Sequence, residues 1–82
     1  MNPRLPRNIS GKQLVNSLKV LGYEPTRQSG SHIRITTQKN GVHNMTIPDH
    51  DSLRVGTLSK ILNDLSAHHN LSRNDLLEIL DL

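Results

Sequence analysis

Apolar residues along this chain follow two different periods. Leu14, Leu18 and Leu21 recur at helical spacing with Val15 beside them, while Lys12, Asn16 and Lys19 fall on other faces. This predicts a helix over Gly11–Leu21. Ser10 with Gln13 reads as a capping box, and Ile9 with Leu14 as the matching hydrophobic staple. Gly22 stands where a left-handed C-terminal cap is wanted. Beyond it the period changes to two. Ile33 and Ile35 fall on one side of a strand, His32 and Arg34 on the other.

Three strands are predicted: Tyr23–Gln28, Ser31–Gln38 and His43–Ile47, with Ser29-Gly30 as the first turn. Pro25 removes a backbone donor, so the first strand belongs at an edge or is irregular there. The register of the second hairpin follows from the core. A two-residue Asn40-Gly41 loop would set Ile35 opposite Thr46, a polar residue on the core side. A three-residue loop with Gly41 left-handed pairs Gln38 with Val42 and sets Ile35 against Met45 and Ile33 against Ile47. The second register keeps one side apolar. It also puts His32 opposite Pro48, so that Asp49-His50 leaves the sheet close to His32.

Pro48–Val55 is a polar loop. The next helix carries Leu58, Ile61, Leu62 and Leu65 on one face. A break is expected at Ala67–Asn70. Ser72 with Asp75 is a second capping box, opening a short last helix with Leu76, Leu77, Ile79 and Leu80. The expected architecture is α+β: a three-stranded antiparallel sheet with helices on one face and the other face open. Residues 1–7, with Pro3, Pro6, Arg4 and Arg7, are expected to be a flexible basic arm; residues 8–82 form a single domain.

Composition narrows the picture. The 82 residues include 13 Leu, 6 Ile and 4 Val but a single aromatic, Tyr23, so the core is aliphatic. Cysteine is absent, which excludes disulfides and cysteine-based zinc sites. No apolar run approaches the roughly 18 residues that span a bilayer, and nothing resembles a signal peptide; a cytoplasmic protein is expected. The net charge of +3 is unevenly spread. Residues 1–40 set seven Lys and Arg against Glu24 alone; residues 41–82 set Arg54, Lys60 and Arg73 against six acidic residues. A polyanion partner on one surface fits this asymmetry, as does ordinary solubilising charge.

The candidate chemistry centres on His32. An imidazole titrates near neutrality, and RNA carries its own nucleophile in the 2′-hydroxyl. A base beside that hydroxyl allows attack on the adjacent phosphorus with no metal or other cofactor. Arg34, on the same face, would neutralise the phosphate oxygens. His50 is a second candidate, as an acid or a substrate contact. Ser31 neighbours His32 on a strand, so the two point to opposite faces, and Ser31 is better suited to hydrogen bonding at the turn. Gly30 permits either a tight turn or close approach of a phosphate. His43 faces the core side. No metal site is expected: His68-His69 lacks a third ligand at a usual spacing, and Asp49 with Asp51 reads as solvated loop.

Taken as a set, certain elements resemble the HicA family of bacterial toxins. They are Gly22-Tyr23 after a helix, Arg27-Gln28-Ser29-Gly30-Ser31-His32, Pro48-Asp49-His50, and Gly56-Thr57-Leu58 with Ile61-Leu62. The resemblance spans about residues 10–80. It implies a double-stranded-RNA-binding-like fold of order α-β-β-β-α, here with a short extra C-terminal helix. It also implies a metal-independent mRNA endonuclease and a HicB-type antitoxin partner, the toxin being a monomer when free or part of a small oligomer with the antitoxin. The family's catalytic histidine falls on His32. Candidate RNA contacts are Arg27, Gly30, Ser31, Arg34, Arg54 and Lys60. Two features depart from the family pattern: Ile33 follows the Gly-Ser-His element, and Ser66–Asn70 is longer than the usual link.

Two other readings compete. A non-catalytic binder of double-stranded RNA usually needs several basic residues at the start of its last long helix, where only Arg54 and Lys60 stand. A protein-interaction module would use the basic face for an acidic partner, and the lack of stacking aromatics favours it over a single-strand binder.

Overall fold

The capping box at Ser10 forms as the sequence predicts. The Gln13 backbone N–H donates to Ser10 Oγ at 3.0 Å, and the Ser10 N–H donates to Gln13 Oε1 at 2.8 Å. These bonds satisfy donors that a helix start otherwise leaves open. The computed structural model describes residues 8–82; the basic arm expected over 1–7 lies outside the described residues. Helix α1 covers Gly11–Leu18 and tightens into a 3-10 turn at Lys19–Leu21. Gly22, at φ 84°, closes it in the left-handed region.

Strands β1 (Glu24–Ser29), β2 (His32–Thr37) and β3 (His43–Pro48) form one antiparallel sheet in the order β1-β2-β3. Helices α2 (Val55–His69) and α3 (Arg73–Leu80) complete an α+β fold of order α-β-β-β-α-α, consistent with the double-stranded-RNA-binding-like class. The β2–β3 register is the expected one: Ile35 pairs with Met45, Ile33 with Ile47 and His32 with Pro48. The ladder closes at Thr37 and His43, one pair before the expected Gln38–Val42, and Val42 is exposed.

Strand β1 is an edge strand and is irregular at Pro25. Pro25 pairs with Ile35, but the next pair is Arg27 with Arg34, so Thr26 is skipped. A bulge of this kind shifts the face on which the following residues stand.

The sheet buries Ile33, Ile35, Met45 and Ile47 on one side against Leu14, Leu18, Leu58, Leu62 and Leu65 of the helices. Each such side chain contributes roughly 1.5–3 kcal/mol of hydrophobic stabilisation. Among the described residues, the other side of the sheet carries no helix. Helix α2 runs through the break expected at Ala67–Asn70. It ends only at Asn70, whose left-handed conformation (φ 53°) stops it. Leu65 and His69, both buried, hold that last turn against the core, so packing overrides the polar sequence. At Ser72 only half of the expected capping box forms, with the Asp75 N–H donating to Ser72 Oγ at 3.0 Å. Arg73 locks α3 to α2 by donating to the Ser59 carbonyl, to Ser59 Oγ and to Asn63 Oδ1.

Candidate functional site

Alternation along β2 decides which residues face solvent. Ile33 and Ile35 are buried, and His32 and Arg34 are exposed on the opposite, helix-free side. In an antiparallel sheet, directly paired residues share a face. His32 is paired with Ser29 on one side and Pro48 on the other. Arg34 is paired with Arg27 and with Thr46. One open surface therefore carries Ser29, His32, Arg27 and Arg34. The His32 ring makes no hydrogen bond among the described residues, and neither guanidinium forms an ion pair among them. The face carries two guanidiniums with an imidazole at their margin.

The chain leaving β3 stays beside this margin. The Asp49 N–H donates to the Ser31 carbonyl at 2.7 Å, one step beyond the His32–Pro48 pair. Asp49 Oδ2 accepts from Gln28 Nε2 at 3.0 Å and lies 3.9 Å from Lys12 Nζ. The His50 carbonyl accepts from the Gly11 N–H at 2.9 Å, and the Leu53 N–H donates to the Ile9 carbonyl at 2.8 Å. This contact is tight: a Cβ on Gly11 would stand 1.9 Å from the Pro48 carbonyl oxygen. The start of α1, the β1–β2 turn and the 49–53 loop are thus one fastened unit. His50 is exposed, and no hydrogen bond joins its ring to His32 among the described residues.

Gly30 and Ser31 are exposed at the turn between β1 and β2. Arg54 stands at the N-cap position of α2 with no side-chain capping bond, and Lys60 lies on the exposed side of that helix, so both belong to the helix layer rather than to the face of His32. Sequence reasoning did not single out Asp49 as the tie among strand, turn and helix. It named Arg27 without a reason for its facing, which the bulge supplies; the irregularity expected at Pro25 was the available signal.

The family model described as HicA toxin of bacterial toxin-antitoxin matches residues 11–66, more than half of the chain. The chain belongs to the HicA toxin family. The matched span takes in α1, all of the sheet, the 49–53 loop and most of α2, and so the whole HicA face around His32. Comparison with the curated proteins and with the solved structures gives no match. Membership makes this a toxin of a toxin–antitoxin system. No helix among the described residues is long and apolar enough to cross a membrane.

Proposed function

We propose that this HicA-family chain is an endoribonuclease that cuts mRNA by internal attack, with His32 as the base. The observation that carries the reading is the exposure of His32 on the open sheet face, two ladder pairs from the Arg27–Arg34 pair and on the same side. In the proposed reaction, His32 takes the proton from a 2′-hydroxyl. The oxygen attacks the adjacent phosphorus, the bond to the 5′-oxygen breaks, and a 2′,3′-cyclic phosphate and a 5′-hydroxyl end result. Arg27 and Arg34 stabilise the charge that builds on the phosphate oxygens. His50, or water, returns a proton to the leaving oxygen. Gly30 and Ser31 contact the backbone of the RNA, with Arg54 and Lys60 outlying contacts for a longer strand. No step needs a metal. A HicB-type antitoxin covering this face would hold the activity in check in the cytoplasm, with the toxin monomeric when free.

The test is cleavage of labelled RNA by purified protein and by His32→Ala. Loss of a positioned base costs about 10²–10⁴-fold in rate, while substitution at an exposed site leaves stability within about 0.5 kcal/mol. A single deoxyribose 5′ of the cut should block cleavage there. Undiminished cutting by His32→Ala, or cutting of an all-deoxy strand, overturns the mechanism. Salt-sensitive binding of duplex RNA with no cleavage would mark a binder instead.

A further inference from the structure

At the opposite end of the β2–β3 hairpin, on the helix side of the sheet, three imidazoles meet. His43 opens β3, and His68 and His69 close α2. One ring nitrogen from each lies within 4.8 Å of the others, with His69 buried and the other two half-buried. The fold supplies what the sequence spacing lacked, a third histidine from another element.

For two of the rings, the partners fix where the lone pair sits. In a neutral imidazole, a hydrogen bond donated by one nitrogen leaves the other free to bind. His43 Nε2 lies 3.3 Å from Asp64 Oδ1, a pure acceptor, so Nδ1 holds the lone pair. His68 Nε2 lies 3.1 Å from the Lys39 carbonyl oxygen and 3.2 Å from that of Gly41, so again Nδ1 is free. His69 Nδ1 faces the Asn40 side-chain amide at 3.4 Å. The Asn40 amide nitrogen meets Nδ1, and Nε2 donates to the Tyr23 oxygen; an ion at Nε2 takes the place of that proton, with the Asn40 amide turning its oxygen to accept from Nδ1. His43 Nδ1 and His69 Nε2 converge: both meet the buried Tyr23 hydroxyl, at 2.5 and 2.9 Å. A carboxylate, two backbone carbonyls and an amide behind three imidazoles are the outer partners that orient histidines on metals. The C-terminal end of α2 adds a favourable dipole for a cation.

We propose that His43, His68 and His69 form a binding site for a divalent transition ion, zinc above all, that clamps the hairpin to α2. Imidazole sets of this kind suit zinc and its neighbours, with nitrogens about 2.0–2.1 Å from the ion and water completing a tetrahedron. Two side chains adjust. The Tyr23 hydroxyl yields the point of convergence. His68, whose ring lies nearly parallel to that of His43 at 4.3 Å between centroids, turns to aim Nδ1 inward. Its half-exposed position permits this. The clamp is structural and separate from RNA cleavage, since His32 stands on the other face, about 17 Å along the strand from the closing Thr37–His43 pair.

The test is titration of the tag-free full chain at neutral pH with Co²⁺, followed by Zn²⁺. The expected result is one Co²⁺ per chain with the visible bands of a tetrahedral ion, displaced by one equivalent of Zn²⁺. Zinc at about a hundredfold excess over its Kd should raise Tm by about 10–20 °C. His68→Asn, at a tolerant site, should keep the circular dichroism of the fold and lose stoichiometric uptake. Asp64→Asn should keep the fold and weaken uptake about 10–100-fold. His50→Ala should take up the ion as the wild type does. Absence of stoichiometric uptake of both ions, or uptake unchanged in His68→Asn, overturns the proposal. Neither result touches the RNA reading, which is scored by cleavage.

Discussion

Arg27 lies directly across the β1–β2 ladder from Arg34, and the bulge between Pro25 and Arg27 puts it there. Unbroken pairing would set Thr26 against Arg34 and turn Arg27 to the helix side. Two like charges directly opposite repel. The pair costs little in water and becomes favourable once an anion lies between the guanidiniums.

It follows that Arg27→Ala and Arg34→Ala should each slow RNA cleavage, by about 10–100-fold from the loss of one charge-assisted contact. Neither should lower Tm. Sulfate should raise the Tm of the wild type more than that of the double variant, a difference that thermal scans in sulfate against chloride will read.

Gly11→Ala tests the fastening of α1 to the 49–53 loop. The added methyl would stand 1.9 Å from a backbone oxygen and 2.9 Å from the Pro48 carbonyl carbon, neither of which is the end of a flexible side chain. Overpacking of this kind costs roughly 1–3 kcal/mol or more. Urea unfolding should show the loss as a lower midpoint.

The sheet register, the first helix with its cap and the open face of β2 were legible because each rests on local pattern. Ile33, Ile35, Met45 and Ile47 can share a side in only one pairing, and Ser10-Gln13 is a contiguous signal. The end of α2 was not legible: Ala67-His68-His69 looks like a break until Leu65 and His69 are seen packed on the core. The grouping of Tyr23 with His43 and His69 also escaped, because it joins residues from three elements far apart in sequence. Around His32 the margin was readable from the register, whereas the bulge that brings Arg27 alongside was signalled only as an irregularity at Pro25.

Tyr23→Phe isolates the buried hydroxyl. Burial, with Asp64 nearby, pushes the Tyr23 hydroxyl up to about 12, so it stays protonated and donates to His43 Nδ1 while meeting His69 Nε2. Its removal leaves one buried and one half-buried ring nitrogen without that partner, at a cost of about 1–3 kcal/mol. Denaturant unfolding in EDTA should show this cost, with cleavage of RNA retained.

Stability should also fall on mild acidification. Burial, then the neighbouring His68, His43 and Lys39, hold His69 below the ordinary histidine value of 6.5. The unfolded chain therefore binds a proton that the folded chain resists. The contribution is fully present above about 6.5 and is lost as pH falls below it, by at most about 1.4 kcal/mol per pH unit for one group. Tyr23 and Asp64 face the same cluster, and Asn40 meets the other edge of the His69 ring. Unfolding midpoints between pH 5 and 8 in EDTA, for wild type and His69→Gln, will measure the slope; the variant should flatten it.

The kink at Pro25 has one more effect. An outer strand left bare along its free edge invites neighbouring chains to extend the sheet and build aggregates. Proline withholds a backbone donor there, and the skipped Thr26 twists the row out of line. A crowded cell full of nascent toxin thus meets a border that is hard to copy, and the same irregularity that sets a second guanidinium on the open face makes β1 a poor template for a further strand.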